Sequence, residues 1–182
     1  MSGSIVGFVG STSRPSKTRA LVEVAARRAA DQAGSRADVF DLLDIGREIG
    51  AAFSRDELSG QARDRLLAIE NADALVVGSP VYKGSYTGLF KHVFDLVEPE
   101  RLLGKPVLLI ATGGGHRHAL VVEHQLRPLF GFFGALTVPT SVYAASADFT
   151  EGGGLKPDLE LRFREAINQL AAFTERRELV PA

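Results

Sequence analysis

Residues 74–97 read ALVVGSPVYKGSYTGLFKHVFDLV, and the rest of the chain is organised around them. Residues 74–77 are a short apolar run, the mark of a strand buried on both faces. Gly78, Ser79 and Pro80 stop it. Tyr86, Leu89, Phe90, Val93, Phe94 and Val97 then recur at steps of three and four, which predicts an amphipathic helix. Residues 80–85 therefore form a loop at the carboxyl end of a strand, just ahead of a helix. Open α/β sheets bind ligands in that position. The loop and its edge carry a ring (Tyr82), a cation (Lys83), two flexible glycines (Gly84, Gly88) and a backbone stiffened by Pro80. A flat, aromatic, partly polar ligand suits that set.

The same alternation extends in both directions. Residues 5–9 are a second apolar run ending at Gly10, followed by a hydroxyl-rich loop and a helix over about 19–33, with Gly34 as its C-cap. Residues 38–45 read as a strand. Ser54 and Glu57 have capping-box spacing, which predicts a helix over about 55–70. After the central stretch, residues 107–111 are a buried strand, 116–134 a long apolar helix, 136–142 the last strand and 157 to about 176 the last helix. Five strands alternating with helices make a parallel sheet covered on both faces. The expected fold is α/β: one flavodoxin-like three-layer sandwich over residues 1–182, with strand order 2-1-3-4-5. The ligand cleft of that topology lies above strands 1, 3 and 4. Those strands end in the three most unusual loops, residues 11–18, 80–85 and 112–115.

Composition narrows the function. The 182 residues suit one domain with one good core. A net charge of −1 offers no basic field for nucleic acid and no acidic one for a basic partner. The absence of cysteine excludes disulfides, thiol catalysis and cysteine-ligated metal. The N-terminus lacks the basic start of a signal peptide, and no apolar stretch reaches membrane-spanning length, so a cytoplasmic, membrane-free protein is expected.

The first loop offers five hydroxyls (Ser11, Thr12, Ser13, Ser16, Thr18), two cations (Arg14, Lys17) and the amides of a helix N-terminus. Amides and helix dipole favour an anion such as a phosphate. The plainer reading is a polar loop with one capping serine, but a cap needs one hydroxyl and not five. It is not a nucleotide-triphosphate loop, because Pro15 and Ser16 stand where that motif requires glycine and lysine. Residues 80–85 could equally be a plain connection with Tyr82 on the surface. After the fourth strand, Thr112 is followed by Gly113, Gly114 and Gly115, and glycine lets a ligand approach the backbone. His116, His118 and His124 invite a metal reading, yet positions 116 and 118 point to opposite sides of a helix. The 116–134 helix is apolar on more than one face, so a partner subunit is its expected cover. Pro128 has no amide for the carbonyl of His124, which predicts a disturbed turn there, a π-bulge or a simple kink.

Taken together, Gly10-Ser11 through Pro15-Ser16, the block Pro80-Val81-Tyr82-Lys83, Ala111-Thr112-Gly113-Gly114 and Leu126-Arg127-Pro128 resemble the NAD(P)H-dependent FMN reductases of the flavodoxin-like superfamily. The likeness runs from about residue 5 to about 172. It is strongest to the reductase partners of alkanesulfonate and methanesulfonate monooxygenases. The resemblance implies FMN and NAD(P)H as cofactors and a flavin-dependent monooxygenase as partner. It implies that Ser11, Ser16, Lys17 and Thr18, with Ser13 and Arg14 beside them, hold the phosphate. Pro80, Val81, Tyr82, Lys83, Gly84 and Ser85 would hold the flavin ring, and Thr112, Gly113 and Gly114 a third wall. It also implies a homo-oligomer, dimer or tetramer, through helix 116–134, where the family carries a π-helical insertion. Two departures stand out. His124 falls where the alkanesulfonate-type enzymes have tyrosine, nearer the methanesulfonate branch, and Ser13 holds the family's usual arginine position, with Arg14 one place later. The other readings are a reductase of quinones, azo dyes or chromate with resident FMN, a flavodoxin-like electron carrier, or a sheet for another phosphate ligand.

Overall fold

The computed structural model describes residues 3–178, with side chains through Thr174; the remaining ends of the expected 1–182 domain lie outside the described residues. Five segments alternate with helices along the chain. Strand β1 (Ser4–Val9) leads to helix α1 (Lys17–Gln32), and β2 (Arg36–Asp41) to the short α2 (Leu42–Ile45) and then α3 (Gly60–Asn71). Strand β3 (Ala74–Pro80) precedes α4 (Gly88–Asp95), and β4 (Pro106–Gly113) precedes a broken helix ending in α5 (Arg127–Phe132). The fifth position of the sheet is shared by β5 (Leu136–Thr137) and β6 (Val142–Ala145), and α6 (Pro157–Glu178) closes the fold. All pairings are parallel, and the order is β2-β1-β3-β4, with both β5 and β6 on the outer edge of β4. The flavodoxin-like 2-1-3-4-5 order expected from the sequence is the one observed.

Successive residues of the central strands face opposite layers, which is why each strand reads as an unbroken apolar run. Ile5, Val9, Val76, Leu108 and Ile110 pack with Leu21, Val22 and Ala25 of α1 and Phe163, Ile167 and Leu170 of α6. Val6, Phe8, Leu75, Val77 and Leu109 pack on the other side with α3, α4 and α5. That second layer is built on rings: Phe8 stacks on Phe90 at 5.5 Å, and Phe94 meets Phe130 edge-on at 4.8 Å.

Several boundaries differ from the sequence reading. Strand β3 is not stopped at Gly78 but runs through Ser79 to Pro80, pairing with β4 as far as Thr112. The second strand stops at Asp41 rather than running to 45, because the Asp41 carboxylate accepts from the amides of Leu43 and Asp44 and starts a helical turn. The helix expected over 55–70 begins only at Gly60. Ser54 and Glu57 do bond to each other, but they close a single 3-10 turn, after which Leu58 swings out to bury itself and Ser59 stands at the start of α3 with its hydroxyl donating to Glu48. The strand expected over 136–142 is split, since Pro139 cannot donate to the ladder and Val142–Ala145 rejoins it beside Ile110–Gly113. Helix 116–134 is not continuous. It is a 3-10 turn (His116–His118), a π turn (Val122–Leu126) and α5. In the π turn the Arg127 amide reaches back five residues to the Val122 carbonyl, next to Pro128, which has no amide to give. The disturbed turn expected at His124 is therefore a π turn. The C-terminal end of α1 is as anticipated: Gly34 takes φ +62°, and the Ser35 amide returns to the Ala30 carbonyl.

Helix α1 lies unusually close to the sheet. A Cβ on Gly78 would stand 2.5 Å from Val22 Cγ2 and 3.1 Å from Thr18 Cγ2. The missing side chain is what lets the first turn of α1 settle onto the end of β3. Gly78→Ala should therefore overpack this seam and cost about 1–3 kcal/mol. Chemical denaturation of the two proteins checks this, and equal midpoints would show that the seam has slack.

Candidate flavin site

The three loops singled out by the sequence meet at the carboxyl ends of β1, β3 and β4, and hydrogen bonds tie them into one surface. The Gly10 amide donates to the Gly78 carbonyl at 2.7 Å, joining the first loop to β3. The hydroxyls of Thr18 and Thr112 meet at 2.7 Å, joining the start of α1 to the end of β4. The Val81 amide donates to the Thr112 carbonyl at 2.8 Å, joining the second loop to the third. Thr87 completes the set. Its hydroxyl donates to the Gly10 carbonyl at 2.8 Å and caps α4 by accepting from the Phe90 amide, while its own amide donates to Ser79.

In the first loop Ser11 and Thr18 are buried, whereas Thr12, Ser13, Arg14 and Lys17 are exposed. The Ser11 hydroxyl accepts from the Ser13 amide at 3.3 Å, and Ser16 caps α1 by accepting from the Arg19 amide at 3.2 Å. Lys17 rests its ammonium 4.7 Å from the ring centre of Phe149, in the loop after β6. Arg14 points elsewhere. Its guanidinium grips both oxygens of Asp41 at 2.7 and 2.9 Å and Asp44 at 2.6 Å, and Arg19 reaches the same two carboxylates at 2.7 and 2.6 Å. Burial works against the ionised form of Asp44, but Arg19 and Arg14 outweigh it and hold the carboxyl well below its ordinary range. The bonds to Asp41 and Asp44 raise Arg14 above its ordinary value.

The second loop is a tight reversal. Tyr82 and Ser85 exchange both backbone hydrogen bonds around Lys83 (φ +54°) and Gly84 (φ +89°), the signature of a type I′ turn. A lysine at positive φ costs on the order of 1 kcal/mol, so the surrounding contacts hold it there. Tyr82 is half-exposed at 49%, and Ser85 donates to Gln125 of the π turn at 3.2 Å.

In the third loop the glycines divide. A Cβ on Gly113 would meet Tyr143 Oη at 2.2 Å, so Gly113 makes room for that ring, whose hydroxyl donates to the Gly115 carbonyl at 2.5 Å. Burial, followed by the nearby Asp148 charge, pushes the Tyr143 phenol up. Gly114 and Gly115 face open space. Thus one of the three glycines has a structural explanation and two leave bare backbone at the surface. His116 sits 3.5 Å from Asp148, while His124 lines a different groove, of about 770 Å³, with Tyr86, Phe94, Leu129 and Phe132. Among the described residues no three His, Asp or Glu side chains converge as a metal site.

Thr87, Tyr143, Phe149 and the pair Asp41/Asp44 escaped the sequence reading. Thr87 had a local signal, a threonine three residues before the first buried position of α4. The others act through contacts distant in sequence.

The donor set fits a flavin phosphate. It combines clustered hydroxyls, the N-terminal amides of a sixteen-residue helix and bare glycine backbone beside an exposed ring. Comparison with known proteins agrees. Residues 4–150 match the family of NADPH-dependent FMN reductases. The chain is 46% identical to the NADH-dependent FMN reductase SfnF of Pseudomonas fluorescens, over 92% of this chain and 89% of that protein. It is 44% identical to an NADPH-type FMN reductase of Pseudomonas aeruginosa, over 97% and 95% of the two chains. An oxidoreductase of Corynebacterium diphtheriae superposes with a TM-score of 0.86 at 29% identity, over 96% of this chain and 98% of that one. With the sheet order and the three joined loops, these likenesses place the chain in the NADPH-dependent FMN reductase family, as an enzyme of the NAD(P)H:FMN oxidoreductase class.

Proposed function

We propose that this enzyme draws on NADH or NADPH to supply reduced FMN to a flavin-dependent monooxygenase, and that residues 1–182 act as one flavin-binding domain. The observation that carries the reading is the joining of the three loops through Thr18, Thr112, Val81 and Thr87. In this reading the hydroxyls of Ser11, Ser13, Ser16 and Thr18, with Lys17 and the first amides of α1, receive the phosphate. Residues Pro80, Val81, Tyr82, Lys83, Gly84 and Ser85 lie along the ring, and Thr112, Gly113 and Gly114 form the opposite wall. FMN, when bound there, would supply the redox chemistry by accepting hydride at N5 from the nicotinamide cofactor. The protein's part is position: the rigid reversal at Lys83-Gly84 and the bare backbone at Gly114 hold one edge of the ligand and leave a face accessible. No side chain is assigned a proton, because hydride transfer between two cofactors requires none from the chain.

The monooxygenase role is supported by the likeness to SfnF and by a phosphate site rich in hydroxyls rather than free cations, which suits a flavin that leaves. The cytoplasm is the compartment this reading requires, where NAD(P)H is available; no helix among the described residues is long and apolar enough to cross a membrane. Assembly through the 116–134 segment, with His124 at the contact, is supported by its uncovered side chains. Phe132 is 76% and Leu120 62% exposed, and Phe53 across the groove is 93% exposed. Burying such side chains is worth about 1.5–3 kcal/mol each.

Two measurements bear on these statements. Protein mixed with NADH or NADPH should bleach added FMN with turnover, and the rate should saturate in FMN. A rate indifferent to added FMN but dependent on a quinone or azo dye would replace this reading with a resident-flavin reductase. Phe132→Asp should weaken association more than tenfold, seen as a smaller species by light scattering, and an unchanged mass would remove this segment from the interface.

A further inference from the structure

Within the reading of residues 11–18 as a flavin-phosphate loop, we infer that Asp41 and Asp44 neutralise the loop's arginines, withhold Arg14 from the phosphate and so keep FMN binding loose. The argument is one of charge and reach. Arg14 lies inside the loop, and Arg19 lies in the first turn of α1, next to the amides that an anion would meet. Left to themselves, two guanidiniums there would make a strong, bidentate phosphate clamp. Instead each spends its donors on the same two carboxylates at 2.6–2.9 Å. The four charges cancel.

The pair of acids is well anchored. Asp41 is fully buried at the end of β2, and its oxygens also cap α2 through the amides of Leu43 and Asp44. Asp44 in turn accepts from the Asp41 amide at 3.0 Å. Arg14 cannot turn toward a phosphate without giving up three charge-assisted hydrogen bonds, two of them to the buried Asp41 carboxylate. Lys17, the other cation of the loop, lies over Phe149 and is held by no carboxylate among the described residues. What remains facing an anion is a set of hydroxyls and amides with this single ammonium, in place of three cations. Such a site recognises a phosphate without gripping it, as a reductase must if its reduced product is to leave. Asp41 and Asp44 are thus affinity-setting residues, acting through Arg14 and touching no ligand.

Asp44→Asn is the informative variant. The amide oxygen can still accept from the Asp41 amide, so the turn persists, while one negative charge is lost and Arg14 is loosened. Flavin binding is read by quenching of flavin fluorescence, without NAD(P)H. FMN should bind about three- to thirtyfold more tightly than to the wild type, the gain should shrink at high salt, and riboflavin, which lacks the phosphate, should bind unchanged. The gain should vanish in the Arg14→Ala/Asp44→Asn double variant, in which the cluster is again neutral and Arg14 is gone. Unchanged or weaker FMN binding by Asp44→Asn, an equal gain for riboflavin, or a gain that persists in the double variant would overturn the inference. Wild-type protein that binds neither flavin would instead overturn the flavin reading itself.

Discussion

The site depends on how closely α1 approaches the sheet. Gly78 has no side chain where Val22 and Thr18 come down onto β3. That absence brings the Thr18 hydroxyl to 2.7 Å from Thr112, across from the first strand's loop to the fourth strand's. Both hydroxyls are buried, so each needs the other; a buried hydroxyl left unpaired costs about 1–3 kcal/mol. The same approach brings the N-terminus of α1 beside the end of β4, where the second and third loops are joined by the Val81–Thr112 bond. Packing in the apolar layer and geometry at the polar surface are therefore one constraint seen from two sides.

Around that contact the loops are held by donors and acceptors rather than by bulk. Thr87 uses its hydroxyl twice, once to cap α4 and once to fix Gly10, so the helix below the second loop and the turn of the first loop move together. The reversal at Lys83-Gly84 keeps an unfavourable φ because Tyr82 and Ser85 exchange both hydrogen bonds across it and Val81 is tied to Thr112. On the far side, Tyr143 occupies the space that Gly113 vacates and fixes the carbonyl of Gly115. A shelf made this way presents backbone and hydroxyls in set positions, with Arg14 and Arg19 matched beside it by Asp41 and Asp44.

The segment from His116 to Gly134 serves a different end. Its π turn is the physical consequence of Pro128, and it carries Gln125 to Ser85 and so links the ring-side loop to the groove lined by His124 and Phe132. Glu123 is locked within this turn. Arg127 grips it and Ser141 donates to it at 2.6 Å, and these bonds outweigh burial to draw its carboxyl down to about 2.

The sheet and its order were legible in the chain alone, because strands buried on both faces must be apolar throughout and the connecting helices must show a three-to-four period. The three loops were legible for a related reason: residues 11–18, 80–85 and 112–115 break the pattern expected of plain connections. The resemblance carried by those same loops led to the flavin. Local signals misled where a long-range contact outbid them. Leu58 left a helix that Ser54 and Glu57 would have begun, since its burial is worth more than another helical turn, and Pro139 divided a strand that its neighbours would have continued. The destination of Arg14 could not be read at all. Its position in a phosphate-like loop suggested one partner, and only the folded chain brings Asp41 and Asp44, some thirty residues away, within reach. Periodicity records which side of an element is buried, but which charge meets which is decided by how the strands are laid side by side.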